Sequence, residues 1–285
     1  MFHAMFPDFL IGFREALEAA LIIGIIIGYL KKTDRVAHTR AVWRAVGLAL
    51  CASVAAAWLF SSFWGSFSGA REAWFEGVLM LAGAVLITSA VLNLLYHLRS
   101  RQEIETKVEV TLTRGGVAGL SALVFFSVLR EGVETIIFLS AADAAVPHEG
   151  RLGACFGIAA ACLIGLLLFK GLIRLKLKHF FTVTSLLLML FAAGLTAHGI
   201  HELQEAGAIP FLTQTAWNIN PPARVDGSYP LMHDHGALGS ILKGVLGYNG
   251  DPTRAEVLAY CGYLIILSLA RRYFFPFRPR PSEAR

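Results

Sequence analysis

Apolar runs of membrane-crossing length alternate along the chain with short polar connectors, and this alternation predicts the secondary structure almost by itself. Seven runs stand out, at about Phe9–Leu30, Val42–Phe63, Glu72–Leu95, Val117–Ala142, Leu152–Leu172, Phe181–Glu205 and Glu256–Leu269. About 20 residues rising 1.5 Å each cross a hydrocarbon core of roughly 30 Å, so each run is predicted to be a transmembrane helix. The polar connector from His97 to Arg114 holds Glu103, Glu105 and Glu109 and reads as a solvated segment, a helical extension of the span after it. A loop rich in Gly and Pro spans about 207–254. The last helix has two possible starts: Asp251 as N-cap with Pro252 following, or Thr253 with Glu256 as a capping box.

Composition agrees with a membrane class. The chain of 285 residues is 56% hydrophobic, with a mean hydropathy of +0.61. Its net charge of +5 does not point to nucleic acid, because the basic residues flank the apolar runs. Lys and Arg gather after spans one, three and five and in the tail, while the other connectors offer little beyond Arg71 and Arg151. The positive-inside rule then puts the N-terminus outside, the C-terminus inside and the long loop outside. A cleaved signal peptide is not expected, since Lys31 and Lys32 follow the first apolar run and no basic segment precedes it. The expected fold is an all-α integral membrane protein of seven transmembrane helices. It forms one transmembrane domain over 1–285, with spans 1–3 (about 5–96) and 4–6 (about 115–206) as an inverted repeat, then the outer loop and a seventh span at about 255–270. Cys51, Cys155, Cys162 and Cys261 fall in apolar runs without a CxxC pair and read as small buried hydrophobes.

Two stretches interrupt this apolar pattern in the same way. Span one carries Arg14-Glu15-Ala16-Leu17-Glu18 and span four carries Arg130-Glu131-Gly132-Val133-Glu134. A charge within a span costs about 2.5–3.5 kcal/mol even on a lenient scale and usually marks a pathway or binding site. At 100° per residue the three charges of each motif fall within a sector about 100° wide. Each arginine can reach the glutamate four residues on, an intrahelical ion pair that accounts structurally for Glu18 and Glu134. That leaves Glu15 and Glu131 unpaired. Four carboxylates less two guanidiniums give −2, which low dielectric sustains only if the carboxylates hold protons or a cation resides there. With N-terminus out, the two motifs lie at similar depth on helices of opposite direction, which predicts one shared site. Carboxylates without cysteine suit hard cations.

A doubled R-E-x-x-E in the first and fourth of seven spans resembles the oxidase-dependent iron permeases of fungal plasma membranes and bacterial EfeU-type uptake systems. The resemblance extends over nearly the whole chain, including His201-Glu202-Leu203-Gln204-Glu205-Ala206-Gly207, the run from Gly236-Ala237-Leu238 to Gly247-Tyr248-Asn249, and Glu256-Val257-Leu258-Ala259-Tyr260. Ala16 stands where the family often has glycine. The resemblance implies Glu15, Glu18, Glu131 and Glu134 as iron ligands supported by Arg14 and Arg130. It also implies Fe(III) delivered by a separate oxidase or cupredoxin-type partner outside a bacterial inner membrane. Iron is then the transported substrate, no tightly bound cofactor or enzymatic activity is expected, and lipid is the other partner.

Further ligand-type residues fall on the predicted outer side. Glu72 and Glu76 open span three, where a helix start also favours acidic residues for its dipole. His198, His201, Glu202 and Glu205 close span six on one helical stripe and read as a way in for ions. Asp226, His233, Asp234 and His235 lie in the outer loop, where solvated polar residues are ordinary, and His97 and His179 flank the membrane on the other side. Rival readings are a carrier of Fe(II) or Mn(II), a proton-coupled exchanger, and a haem-bearing electron-transfer subunit. Against haem, His198 and His201 share one helix face and cannot ligate opposite sides of a ring. No GxxxxGK[ST] loop for ATP and no oxidase domain occur in the sequence.

Overall fold

A computed structural model describes residues 5–65, 67–96, 101–145, 152–171, 177–222, 229–234 and 236–274. Among these the regular secondary structure is helical, with no strand beyond an isolated bridge between Thr215 and Thr253. The helices are α1 (Phe6–Lys32), α2 (Thr39–Trp64), α3 (Ala70–Tyr96), α4 (Arg101–Ala145), α5 (Leu152–Phe169), α6 (Leu177–Glu205), α7 (Ala237–Leu246) and α8 (Arg254–Phe274). Each of the seven apolar runs becomes a helix. Four segments are long and apolar enough to cross a membrane: Val36–Trp64, Ala70–Leu92, Leu152–Phe169 and His179–Glu205. α1 and α4 are not among them, since any stretch of that length in α1, or in α4 beyond Gly116, includes motif charges. The free face of α2 shows why lipid suits this surface: Leu48, Val54, Trp58, Leu59 and Phe63 all stand exposed.

Three features depart from the sequence reading. The connector before the fourth span is the helical extension expected, from Arg101 on, so α4 runs for 45 residues, but the helix breaks at Gly116 (φ 56°, ψ −147°), a conformation open essentially to glycine alone. It is also less solvated than its charges suggest, because Val108 is fully buried and packs with Ile104 and Leu112 into the same cluster as Ile26, Leu30 and Val42. The long loop expected at about 207–254 contains a helix, α7, whose Leu238, Ile241, Leu242 and Val245 repeat at helical spacing. Where α7 ends, Gly247 (φ 70°) meets Gly194 of α6 so closely that a Cβ on Gly194 would lie 2.5 Å from the Gly247 Cα. The loop therefore packs back against α6 eleven residues before that helix ends. The third departure is the cysteines. All four are free and exposed, on faces the protein leaves uncovered.

α1 is the central helix, flanked by α4 and α5 and touched by α7; α2 packs on α4, α3 pairs with α6, and α8 lies along α6. Gly153, Gly157 and Gly165 of α5 face in turn Met5, which caps α1, and Phe9 and Ala20 of α1, so those two helices run parallel at close range. α1 and α4 run antiparallel. Ile11, before the first motif, shares a cluster with Phe138 and Ala141, after the second. Ile26 and Leu30, after the first motif, share another with Val124 and Val128, before the second. α8 begins with the capping box: Thr253 N donates to Glu256 Oε1 at 3.0 Å and Glu256 N to Thr253 Oγ1 at 3.3 Å.

Candidate metal site

The antiparallel contact of α1 and α4 places both charged motifs in one polar layer between those two apolar clusters. One ligand oxygen from each of Glu15, Glu18 and Glu131 falls within 4.8 Å of the others. Helical spacing brings Glu15 and Glu18 to the same face, and only the pairing of the two helices adds Glu131. Glu134 stands one turn beyond Glu131, bound to Arg130.

The arginines do more than reach four residues on. Arg14 Nη2 lies 2.8 Å from Glu18 Oε1 while its Nη1 contacts the carboxylate of Glu15. Arg130 repeats the arrangement, with Nη2 2.6 Å from Glu131 Oε1 and Nε 3.3 Å from Glu134 Oε1. Glu15 and Glu131 are thus paired, contrary to the expectation from spacing alone, because a guanidinium fork can serve two carboxylates at once. The count of four carboxylates against two arginines is unchanged. Each of Glu15 and Glu131 also keeps one buried oxygen, Oε2, that accepts no hydrogen bond among the described residues. A buried, unsatisfied anionic oxygen is costly, and two of them in one layer form a natural cation seat.

The two motifs differ in cover. Arg14 is fully buried, whereas the Arg130 side chain is 44% exposed. On the helix backs, Gly132 faces Ser53 of α2 and Ala16 packs in a cluster with Ala160 and Ala161 of α5, so small residues seat each motif against its neighbour.

The remaining candidates are not brought to this layer. Glu72 and Glu76 sit in the first turns of α3, and His201, Glu202 and Glu205 at the end of α6; Gly77 and Gly199 pack in close contact between the two helices. His198 is buried, with Nδ1 3.1 Å from the Gly194 carbonyl oxygen. His201 Nδ1 lies 2.9 Å from Glu256 Oε1, and its Nε2 lies 3.3 Å from Glu205 Oε1.

Comparison with known proteins places this arrangement. Residues 5–274 match the family model described as the iron permease FTR1 family. The chain belongs to that family. It is 35% identical to a protein named ferrous iron permease EfeU from Yersinia pestis, over 284 residues that cover 98% of this chain and 97% of that one. The same identity holds for the proteins of that name from Yersinia pseudotuberculosis serotype I (100% and 97% covered) and Escherichia coli O6:K15:H31 (92% and 93% covered). No solved structure matches it. This iron permease is therefore an integral membrane transporter and not an enzyme, and iron is its substrate.

Some residues of this permease lay beyond the sequence reading. Glu256, expected only as a helix cap, is almost fully buried, accepts from Thr253 and Asn249, and lies 2.9 Å from His201 Nδ1. Asp234, read as a solvated loop residue, is buried as well and accepts from the Asn220 side chain at 3.0 Å and Gly250 N at 2.9 Å. The contacts of Glu256 with His201 and of Asp234 with Asn220 and Gly250 join separate parts of the sequence, so spacing carried no signal for them. His233 stacks on Tyr229, ring centroids 4.4 Å apart. His179 is exposed, as expected for a flanking residue. His97, Asp226 and His235 lie outside the described residues.

Proposed function

We propose that Glu15, Glu18, Glu131 and Glu134 form the intramembrane station through which iron passes, with Arg14 and Arg130 holding the empty carboxylates in place. The observation that carries this reading is the pair of bare oxygens, Glu15 Oε2 and Glu131 Oε2, buried in a layer of excess negative charge. An incoming cation supplies the missing positive charge and takes up those oxygens. The arginines keep the site from collapsing or trapping the ion, since their charge lowers its net affinity.

The cargo is Fe(III) in this reading, produced outside by a separate oxidase or a cupredoxin-type protein, because an all-carboxylate donor set suits a hard cation best. Transport is inward across a bacterial cytoplasmic membrane, with seven spans and the N-terminus outside. Exchange of α1–α2–α3 with α4–α5–α6 converts the α1–α5 pairing into the α4–α2 pairing and leaves the α3–α6 and α1–α4 pairs unchanged, which supports an inverted repeat. Fe(II) is the second reading. It is favoured by the printed names of the Yersinia and Escherichia relatives, which are ferrous iron permeases.

Radio-iron uptake by cells tests both. Glu15→Ala with Glu131→Ala is expected to abolish uptake while the protein remains inserted in normal amount, and uptake at the unaltered rate would refute the assignment. Supplying iron under reductant, without any oxidant, separates the oxidation states. Uptake that stops under those conditions supports Fe(III), and uptake that persists supports Fe(II).

A further inference from the structure

The polar groups at the end of α6 are arranged unlike those of the motifs. His201 projects from the last turn and a half of α6 between two carboxylates, Glu256 on its Nδ1 side and Glu205 on its Nε2 side. The two are not equivalent. Glu256 is 1% exposed with both oxygens engaged: Oε1 accepts from Thr253 N as well as facing His201, and Oε2 accepts from the Asn249 side chain at 2.7 Å. Glu205 has a 62% exposed side chain and is held by His201 on one oxygen. Glu256 is thus the buried, anchored carboxylate, while Glu205 is the solvent-exposed one beside His201 Nε2.

This is the arrangement that a buried carboxylate imposes on a ligating histidine. With Nδ1 turned to the inner carboxylate at 2.9 Å, Nε2 is left as the ligating atom, its orientation set from behind. Ligand atoms about 2.1 Å from one metal ion in adjacent positions stand about 3 Å apart, and the 3.3 Å between Nε2 and Glu205 Oε1 is already near that bite. Three residues deeper on the same stripe, His198 holds its Nδ1 against the Gly194 carbonyl, which leaves its Nε2 buried and without a hydrogen-bond partner among the described residues. A bare imidazole nitrogen in a buried position needs an explanation, and a passing cation provides one.

We propose that the end of α6 is a second, nitrogen-containing iron site. His201 Nε2 and Glu205 take the ion at the surface, Glu256 is the positioning residue that fixes the imidazole, and His198 Nε2 is the next ligand inward. On binding, the ion replaces the Nε2 proton of His201, which leaves to water, and on release the proton returns. The proposal rests on the carboxylate station described above, since an ion handed inward must have somewhere to go.

The two sites differ in donor chemistry, and that separates them experimentally. The probe is Mn(II), a hard ion with the same d-electron count as Fe(III), titrated into detergent-purified protein and followed by electron paramagnetic resonance with detection of nitrogen coupling. A variant lacking all four motif glutamates (Glu15, Glu18, Glu131 and Glu134 each →Ala) is expected to retain a bound ion with nitrogen coupling. Adding His201→Ala removes it. Glu256→Gln, which keeps an acceptor for Thr253 N, is expected to weaken it about ten- to a hundredfold, the usual effect of losing an outer-shell partner. Retention of full affinity in Glu256→Gln overturns the positioning role. If wild type binds Mn(II) through oxygen alone and the four-glutamate variant binds none, the second site is refuted and the motif station stands. If the four-glutamate variant binds with nitrogen coupling yet transports iron normally, the motif station fails and the second site stands.

Discussion

Arg14 and Arg130 occupy the same position in matching motifs, but burial gives them different weight. Arg14 has a side chain only 2% exposed and pairs with two carboxylates in contact with it. Removing one partner of a buried ion pair costs about 3–5 kcal/mol, because the charge left behind has no solvent to turn to. Arg14→Leu is therefore expected to give a protein that melts well below wild type in a detergent thermal-shift assay. Arg130→Leu should have a smaller effect, since its half-exposed guanidinium is partly replaced by its surroundings when lost. Equal losses at the two positions would show that the difference in cover has no energetic consequence. Sequence alone makes these arginines equivalent, because the spacing within the two motifs is identical. It also leaves Glu15 and Glu131 unpaired, since helical spacing ranks the i,i+4 partner first and says nothing of a fork reaching its own neighbour.

At the scale of elements, chain breaks and caps are set by single residues. Gly116 bends α4 between its polar first part and the motif-bearing part, at a φ and ψ that a side chain would resist. Gly116→Ala is expected to cost about 1–3 kcal/mol. The loss should appear as a lowered melting temperature and as faster proteolysis of the 101–116 segment. Thr253 and Glu256 close the start of α8, and Thr253→Ala should cost about 1 kcal/mol, a modest shift by the same measurement. Among the described residues, seven of the eight α-helices were legible from hydropathy, with ends within about five residues of those observed except the start of α4, which lies at Arg101 rather than Val117. α7 was hidden by its ten-residue length and by the glycines around it, although its Leu238, Ile241, Leu242 and Val245 carry the helical period. The first part of α4 was legible as a helical extension, but its burial was obscured by its charges. Its stripe of Ile104, Val108 and Leu112 is what buries it.

For the whole molecule, the question is how the bundle lies in the bilayer. The proposed orientation puts Gln214 outside and Glu105 inside. In a background with all four native cysteines changed to alanine, Gln214→Cys should react with a membrane-impermeant maleimide on intact spheroplasts, and Glu105→Cys only after permeabilisation. The reverse pattern would invert the orientation. The native cysteines themselves are exposed on helix faces that lipid covers in this arrangement, so they should stay unlabelled by the same reagent in membranes. Their exposure corrects the expectation of buried thiols, and the reason is general: in a membrane protein an apolar residue gains nothing by choosing the interior over lipid.

Local periodicity and charge were enough to establish the class of the protein, the positions of its long helices and the two charged motifs. These follow from the cost of exposing backbone and charge to hydrocarbon, which acts on each segment separately. Three things were decided only by tertiary packing. One is the meeting of Glu131 with Glu15 and Glu18 across the α1–α4 contact. Another is the unequal burial of the two arginines, and the third is the attachment of Glu256 of α8 to His201 of α6. Each depends on which helix faces which. Lipid is as apolar as a helix surface, so hydropathy cannot choose among those pairings; close packing and the pairing of buried charges choose them instead.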